Sequence, residues 1–252
     1  MNEICIFIGP SISAKEAAEI LSADYYLPAA QGDIYSAFES GYKTIGLIDG
    51  VFDAVPSVWH KEILYCISKG ASIFGASSMG ALRAAELADY GMTGVGEIYA
   101  SYLRGEIEDD DEVAILHGPK ELNCIPITIP LINLRFTLKA HVVQEQLSAH
   151  EAKLVIKTAK NIFYRERTME HLTKHLEKSA AINCSRAHEI IEMISVHYID
   201  QKRIDAISLL EAISTFKTDD NVREVPRFTF RETIVWLNNM VNKPNRSLIR
   251  HG

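Results

Sequence analysis

The chain has 252 residues, of which 47% are hydrophobic and 23% charged, and this balance excludes a largely disordered protein. The formal net charge of −7 argues against nucleic acid or an anionic membrane surface as the main partner. The seven basic and four acidic residues of 217–252 give that tail a charge of +3 and leave −10 on residues 1–216. A basic tail can dock a partner or fold back onto its own body, and folding back is the more common outcome.

The cysteines and the apolar runs indicate the compartment. Four cysteines lie about sixty residues apart and form no CxxC pair, so neither a zinc site nor a redox dithiol is expected. No basic segment followed by an apolar run precedes the first predicted strand, and no apolar run approaches membrane-spanning length. We therefore expect a reduced, soluble, cytoplasmic protein that binds no metal.

Short apolar runs alternate with helical patterns through the first half of the chain. The strands are predicted over 4–9, 25–27, 44–48 and 73–76. The helices are predicted over 15–21, from the turn at 31–33 through Phe38, and over 58–68. Strands that alternate with helices through short connections are typical of βαβ units. The pattern predicts an α/β fold over 1–133, with a Rossmann-like, mostly parallel sheet flanked by helices.

The second half of the chain has a different character. From about Leu134 glycines are few and no proline occurs before Pro226, which predicts a smaller all-helical region over 134–216. One predicted apolar stripe in it consists of Ile204, Ile207, Leu210 and Ile213. The basic C-terminal segment, 217–252, is the third predicted region, with a short helix marked by Ile234, Leu237 and Val241.

Small and polar residues follow each of the predicted strands. These strand ends are Gly9-Pro10-Ser11, Gln31-Gly32-Asp33, Asp49-Gly50 and Ser77-Ser78. Ligands of parallel sheets bind beyond the C-terminal ends of the strands. We therefore expect the chemistry of this protein at that edge of the sheet.

The last of these strand ends has the shape of a nucleophile elbow. In Ala76-x-Ser78-x-Gly80 an alanine replaces the first glycine of the usual motif. Such a turn holds a serine hydroxyl at a helix N-terminus, where free N–H groups and the helix dipole favour a developing negative charge. The alternative interpretation is that Ser77 or Ser78 is only the N-cap of the helix.

A serine nucleophile needs donors for the oxyanion and a base for its proton. The Met79 N–H is the first candidate donor, and the turn from Gly9 to Ser11 is a second. The candidate bases are His60 and His117, each of which can equally be a structural residue.

Carboxylates that can orient such a base are Asp49, Glu62 and Asp33, and the sequence does not choose among them. Arg83 can bind an anionic substrate group or pair with Glu86 three residues later, and the ion pair is the more common result. The run 109–112 is more typical of a solvated acidic turn than of a metal site.

Taken together, these segments resemble the TfuA-like family. The matching motifs are Phe7-Ile8-Gly9-Pro10-Ser11, Gln31-Gly32-Asp33-Ile34, Ile48-Asp49-Gly50-Val51-Phe52, the segments 58–64 and 74–87, Gly91-Met92-x-Gly94-Val95-Gly96, Asp110-Asp111-Glu112-Val113 and His117-Gly118-Pro119. Weaker similarity continues through Phe163-Tyr164-x-x-Arg167 and Asp205-Ala206. The resemblance covers about residues 4–215 and leaves the basic tail outside.

This resemblance implies an accessory protein of a YcaO enzyme in peptide backbone thioamidation. ATP and magnesium then belong to the YcaO partner, and this chain needs no cofactor of its own. The other expected partner is a sulfur-carrier protein or a peptide substrate, and a homo-oligomer is compatible with this assignment.

Two functions from different classes compete within this resemblance, and the elbow at Ser78 suggests the first of them. In the first, Ser78 attacks the thiocarboxylate terminus of a sulfur carrier and expels hydrosulfide, which makes the chain a serine-dependent hydrolase. In the second, the chain is a non-catalytic adaptor that recruits the substrate or the sulfur donor to the YcaO enzyme. A nucleotide-binding module is less compatible, because the loop at Gly9 matches neither GxxxxGK[ST] nor GxGxxG.

Overall fold

The structure is a computed structural model that describes residues 3–52, 55–122, 124–179, 181–216, 228–241 and 248–251. The chain divides into two compact units, the first formed by Met1–Glu108 with Arg203–Gly252 and the second by Asp109–Lys202. The predicted region boundaries at 133 and 216 stay predictions.

The first unit contains a parallel sheet of five strands. These are β1 (Ile4–Phe7), β2 (Asp24–Tyr26), β3 (Thr44–Leu47), β4 (Ser72–Gly75) and β5 (Thr93–Gly94). Their order across the sheet is β2-β1-β3-β4-β5, and each neighbouring pair is parallel. The prediction of an α/β, Rossmann-like fold is thereby confirmed.

Helices connect the strands and cover the sheet. They are α1 (Ala14–Ile20), α2 (Asp33–Glu39), α3 (His60–Ser68), α4 (Met79–Leu87) and α5 (Glu97–Leu103), with a 3₁₀ turn at Ala88–Tyr90. The sequence explains the local starts and stops: Ser13 accepts a hydrogen bond from the Glu16 N–H and caps α1, and Gly70 follows α3 with φ +93°.

The order of the strands shows where the direction of the connections across the sheet reverses. From β1 the chain moves outward to β2, returns to β3 on the other side of β1, and then continues to β4 and β5. The topological switch point therefore lies between β1 and β3, and in open α/β sheets the crevice at this point is where ligands bind.

Two details differ from the expectations. The strand β5 was not predicted, because two residues carry no detectable alternation of apolar and polar side chains. The helix α10 (Gln201–Thr215) packs on the sheet through Ala206, Leu209, Leu210 and Ile213, whereas Ile204 is exposed. The predicted stripe was wrong at Ile204 because a strict three-residue spacing drifts off a face whose period is 3.6 residues.

The second unit is helical. Its main helices are α6 (Leu131–Val143), α7 (Ala149–Lys160), α8 (Met169–Glu177) and α9 (Cys184–Val196), with 3₁₀ turns at Asp110–Glu112, Lys120–Leu122 and Tyr164–Glu166. One apolar core joins them, in which Leu134, Val155, Leu172 and Ile190 are all buried. Side-chain caps at Ser148, Thr168 and Asn183 begin the last three of these helices.

The described parts of the basic tail fold back onto the first unit. The short helix α11 (Ile234–Trp236) continues as a π-helical turn at Leu237–Val241, and it places Trp236 in an aromatic cluster with Tyr35 and Tyr65. The segments 217–227 and 242–247 of the predicted tail lie outside the described residues.

The end of the tail covers the outer edge of the sheet. The Leu27 N–H of the β2 edge donates to the Ile249 carbonyl over 3.0 Å, and the His251 imidazole lies 3.1 Å from the Ile8 carbonyl. In a continuing parallel ladder the Ile8 carbonyl would accept from residue 28, but Pro28 has no N–H. His251 therefore supplies a donor that the ladder lacks. In the part of the chain that the structure describes, none of the helices has the length and apolar character needed to cross a bilayer.

Candidate functional site

The ends of β1 and β3 are joined at the switch point by a buried carboxylate. Asp49 follows β3, and its Oδ2 accepts hydrogen bonds from the N–H groups of Gly9 (2.9 Å) and Ser11 (3.1 Å). Its Oδ1 accepts a third bond from the Ser11 hydroxyl over 2.7 Å. Both N–H groups that were predicted as a second oxyanion donor are therefore bound to Asp49.

The connection from β4 to α4 is a tight turn centred on Ser77. Ser77 has φ +67°, and the Ser78 N–H donates to the Ala76 carbonyl over 2.8 Å. This geometry is that of a classic γ-turn, which is rare and strained for a residue with a side chain. The Ser77 hydroxyl donates to the Ser11 hydroxyl over 3.0 Å, so that a chain of hydrogen bonds runs from Ser77 through Ser11 to Asp49.

Two glycines allow the backbone to approach closely around this turn. A Cβ on Gly80 would lie 1.7 Å from the Leu47 carbonyl oxygen, and a Cβ on Gly75 would lie 2.2 Å from the Gly80 oxygen. The Gly80 N–H also donates to the Ile48 carbonyl over 3.2 Å. The first turn of α4 therefore lies directly against the end of β3.

Ser78 occupies the N-cap position of α4 without capping it. Its side chain accepts no hydrogen bond from the helix, and the residue is 3% exposed. Among the described residues, neither the Ser78 hydroxyl nor the Met79 N–H has a hydrogen-bond partner. A hydroxyl and a free amide donor thus stand together at the N-terminus of a nine-residue helix.

The candidate base His60 binds Glu86 and not Ser78. The His60 Nε2 lies 2.7 Å from Glu86 Oε2, and the eight residues from Ser78 to Glu86 span about 12 Å of helix axis. Burial raises the pKa of Glu86, but the hydrogen bonds from His60 and Arg83 outweigh burial and lower that pKa. His117 belongs to the other unit, where its Nδ1 lies 2.7 Å from the Gly118 carbonyl.

The candidate carboxylates Glu62 and Asp33 are directed at backbone donors instead of a histidine. Glu62 is fully buried, and it accepts hydrogen bonds from Trp59 at the start of α3 and from three N–H groups at the start of α2, those of Gly32, Ile34 and Tyr35. Burial raises the pKa of Glu62 to about 7, although these donors act in the opposite direction. Asp33 accepts from the Ala30 N–H over 2.8 Å.

Arg83 forms the ion pair that its spacing favours. Its Nη1 lies 2.6 Å from Glu86 Oε2, and its Nε donates to the Val58 carbonyl over 3.0 Å. The side chain is nearly buried, so this guanidinium holds the loop before α3 against α4.

The acidic run of the second unit is an ion-pair network. Lys160 contacts Asp109, Asp111 and Glu112 over 2.6, 2.9 and 3.1 Å. The expectation of a solvated turn was wrong for Glu112, which is buried and also pairs with Arg135 over 2.8 Å. Within the described ranges, no group of three or more His, Cys, Asp or Glu side chains is arranged to hold a metal ion.

Sequence reasoning missed Ser77 as a residue of the site. One signal was present: the strand ends at Gly75 and the helix cap is Ser78, which leaves only Ala76 and Ser77 for the change of direction. A connection this short requires a residue with positive φ, and Ser77 is the residue that adopts it.

Comparison with known proteins finds a family model that covers Asp49, Ser77 and Ser78 of this site but not Gly9 or Ser11. A search of curated proteins returned no match. The family model for TfuA-like proteins matches residues 49–168, a segment that begins at Asp49 and includes the turn at Ser77 and Ser78. Over residues 49–168 this chain is therefore similar to TfuA-like proteins.

Proposed function

We propose that this chain is an accessory protein of a YcaO enzyme in ATP-dependent backbone thioamidation, and that it releases sulfide from a thiocarboxylated sulfur-carrier protein. The family match supports the association with a YcaO enzyme. The observation that carries the release of sulfide is the uncapped Ser78 hydroxyl beside the free Met79 N–H. ATP chemistry belongs to the YcaO partner in this scheme.

The reaction runs in two steps. The Ser78 Oγ attacks the carbonyl carbon of the thiocarboxylate, and the Met79 N–H stabilises the oxyanion of the tetrahedral intermediate. The carbon–sulfur bond then breaks, hydrosulfide leaves, and an ester joins the carrier to Ser78. Water hydrolyses this ester, which restores the hydroxyl and releases the carrier as a carboxylic acid.

This reaction explains how the site can function without a histidine beside Ser78. The substrate enters as a thiocarboxylate anion, and its sulfur can accept the proton that Ser78 gives up. Serine and thiocarboxylate thus yield an ester and hydrosulfide, with the proton on the leaving sulfur. The N-terminus of α4 favours the negative charge that develops during the attack.

Sulfide release from a purified carrier tests the proposal. The full chain is mixed with a thiocarboxylated carrier, and sulfide is measured over time for the wild type and for Ser78→Ala. We expect Ser78→Ala to lower the rate at least a hundredfold. The matched control is Ser195→Ala, an exposed helical serine whose hydroxyl bonds only to the Ile191 carbonyl. Release by Ser78→Ala at the wild-type rate excludes Ser78 as the nucleophile.

One observation favours the adaptor as a second candidate. Among the described residues, no histidine hydrogen-bonds to Ser77, Ser78 or Asp49. An adaptor predicts that Ser78→Ala stimulates thioamidation by the YcaO partner as well as the wild type does. A titration of the two purified proteins by calorimetry, in parallel with the thioamidation assay, separates binding from catalysis.

A further inference from the structure

The backbone at Ser77 is in a conformation that glycine adopts more readily. Its φ of +67° brings the Cβ close to the backbone, which strains a residue that has a side chain. Glycine residues stand nearby at Gly75 and Gly80, where close approach demands them. A serine at position 77 therefore indicates that its hydroxyl does something that offsets the strain.

The hydroxyl of Ser77 has one partner, and that partner is itself held in place. Ser77 donates to Ser11 over 3.0 Å, and Ser11 donates to Asp49 over 2.7 Å. All three residues are at most 4% exposed. Asp49 is fixed in turn by the N–H groups of Gly9 and Ser11, so the chain of bonds ends on the rigid ends of two central strands.

The direction of these bonds determines what they can do. The Ser11 hydroxyl donates to Asp49 and the Ser77 hydroxyl donates to Ser11, so Asp49 orients Ser11 and Ser11 orients Ser77. Ser77 is fully buried, and the next residue, Ser78, is 3% exposed and occupies the N-cap position of α4. A change in the conformation at Ser77 must therefore change where the Ser78 side chain points.

We propose that Ser77 is a positioning residue: the chain of hydrogen bonds from Asp49 through Ser11 holds the strained turn, and the turn directs the Ser78 hydroxyl away from the helix cap position. This inference rests on the proposed function for its activity measurement, and it has a second measurement that does not depend on that function. The strain at Ser77 prevents Ser78 from relaxing into an ordinary N-cap, in which its oxygen would accept an N–H of α4.

The first experiment compares Ser77→Ala with Ser77→Gly in the sulfide-release assay. Both substitutions remove the hydroxyl, but glycine adopts positive φ without strain and alanine does not. We expect Ser77→Ala to lower kcat at least tenfold with KM changed less than twofold. We expect Ser77→Gly to keep more than a third of the wild-type kcat.

Two results of this experiment overturn the inference. Loss of activity in both variants to the level of Ser78→Ala means that the Ser77 hydroxyl reacts directly. Wild-type kcat in both variants means that Ser77 contributes only to the stability of the fold, which urea unfolding of the same variants measures.

The second experiment measures the accessibility of position 78 chemically. The thiol introduced by Ser78→Cys is alkylated with iodoacetamide in a Cys184→Ser background, because Cys184 is the exposed native cysteine and Cys5, Cys66 and Cys124 are buried. We expect additional Ser77→Ala to slow alkylation at least fivefold and additional Ser77→Gly to change it less than twofold. Ser195→Ala in the same background is the control and should leave the rate unchanged.

The two measurements separate this inference from the proposed function. If the wild type releases no sulfide while alkylation follows the expected order, the proposed function fails and the positioning role stands. If sulfide release depends on Ser78 but neither Ser77 variant changes kcat or alkylation, the positioning role fails and the proposed function stands.

Discussion

Each unit of this protein contains a polar cluster built around a buried carboxylate, Asp49 in the first unit and Glu112 in the second, and different groups stabilise the two carboxylates. In the second unit Asp111 and Glu112 face three cations, Lys160, Arg167 and Arg135. Burial raises the pKa of Asp111, but the bonds from Lys160 and Arg167 outweigh burial and lower that pKa. In the first unit Asp49 is satisfied entirely by backbone N–H groups and a hydroxyl.

This difference indicates which cluster stabilises the fold and which one belongs to a functional site. A cluster of paired ions with unstrained backbone around it is sufficient to dock helices, and nothing further is needed to explain it. The cluster at Asp49 instead ends on a residue with positive φ and lies beside a hydroxyl and an amide that have no partner in the described chain. Strain and unsatisfied groups at one strand end are typical of a functional site.

The largest expected effect tests the structural assignment of the ion-pair cluster. Arg167 is 1% exposed and donates to the Ala159 carbonyl, the Asp111 carbonyl and the Asp111 carboxylate. We expect Arg167→Ala to lower the free energy of unfolding by about 3–5 kcal/mol, because it removes a buried guanidinium together with its ion pair to Asp111 and its hydrogen bonds to two carbonyls. Urea unfolding measures this loss. The exposed Arg165→Ala is the control and should cost less than about 1 kcal/mol. An equal effect of both variants contradicts the assignment.

Glu62 extends the comparison, because it is a buried carboxylate that accepts from backbone N–H groups and, among the described residues, pairs with no cation. With its pKa raised from 4.5 to about 7, the folded protein binds this proton more tightly than the unfolded chain does. The free energy of unfolding should therefore fall as the pH rises from about 4.5 to about 7, by about 3 kcal/mol from this group. Glu62→Gln should flatten that dependence in urea unfolding at several pH values. A wild-type stability that rises with pH over this range, with no difference from Glu62→Gln, contradicts the expectation.

Ser11→Ala tests whether the cluster at Asp49 also contributes to stability. The substitution removes the hydroxyl that donates to Asp49 and accepts from Ser77, and it leaves the buried Ser77 hydroxyl without its acceptor. We expect a loss of about 1–3 kcal/mol in the free energy of unfolding, since a buried polar group is left without its partner. Differential scanning calorimetry at fixed protein concentration measures the corresponding fall in Tm. A loss as large as that of Arg167→Ala removes the distinction between the two clusters.

The smallest expected effect concerns Ser78. Because its side chain makes no capping bond, Ser78→Ala should change the free energy of unfolding by less than about 0.5 kcal/mol. Ser148→Ala is the matched comparison, since Ser148 caps α7 by accepting from the Glu151 N–H, and it should cost about 1 kcal/mol. Equal losses in chemical denaturation make Ser78 an ordinary cap and weaken its assignment as a nucleophile.

Much of the fold could be predicted because its signals are local. The apolar runs at 4–9 and 44–48 and the capping serine before α1 lie within a few residues of the structure that they specify. The convergence of the strand ends also followed from the pattern, since all strands of a parallel sheet point the same way. The bond partners of His60 and Glu62 could not be predicted, because they lie on other elements: His60 meets α4, and Glu62 meets the start of α2.

The residue pattern alone predicted an α/β chain that resembles the TfuA-like family, with polar and small residues collected at one edge of a parallel sheet. The hydrogen-bond partners of those residues, in contrast, are visible only in the tertiary structure. Three strand ends come within hydrogen-bond distance: Ser11 binds Asp49, which is 38 residues away in the chain, and Ser77, which is 66 residues away. Such pairings depend on the order of the strands and on the strain at one turn. Neither property can be predicted from the spacing of residues along the chain.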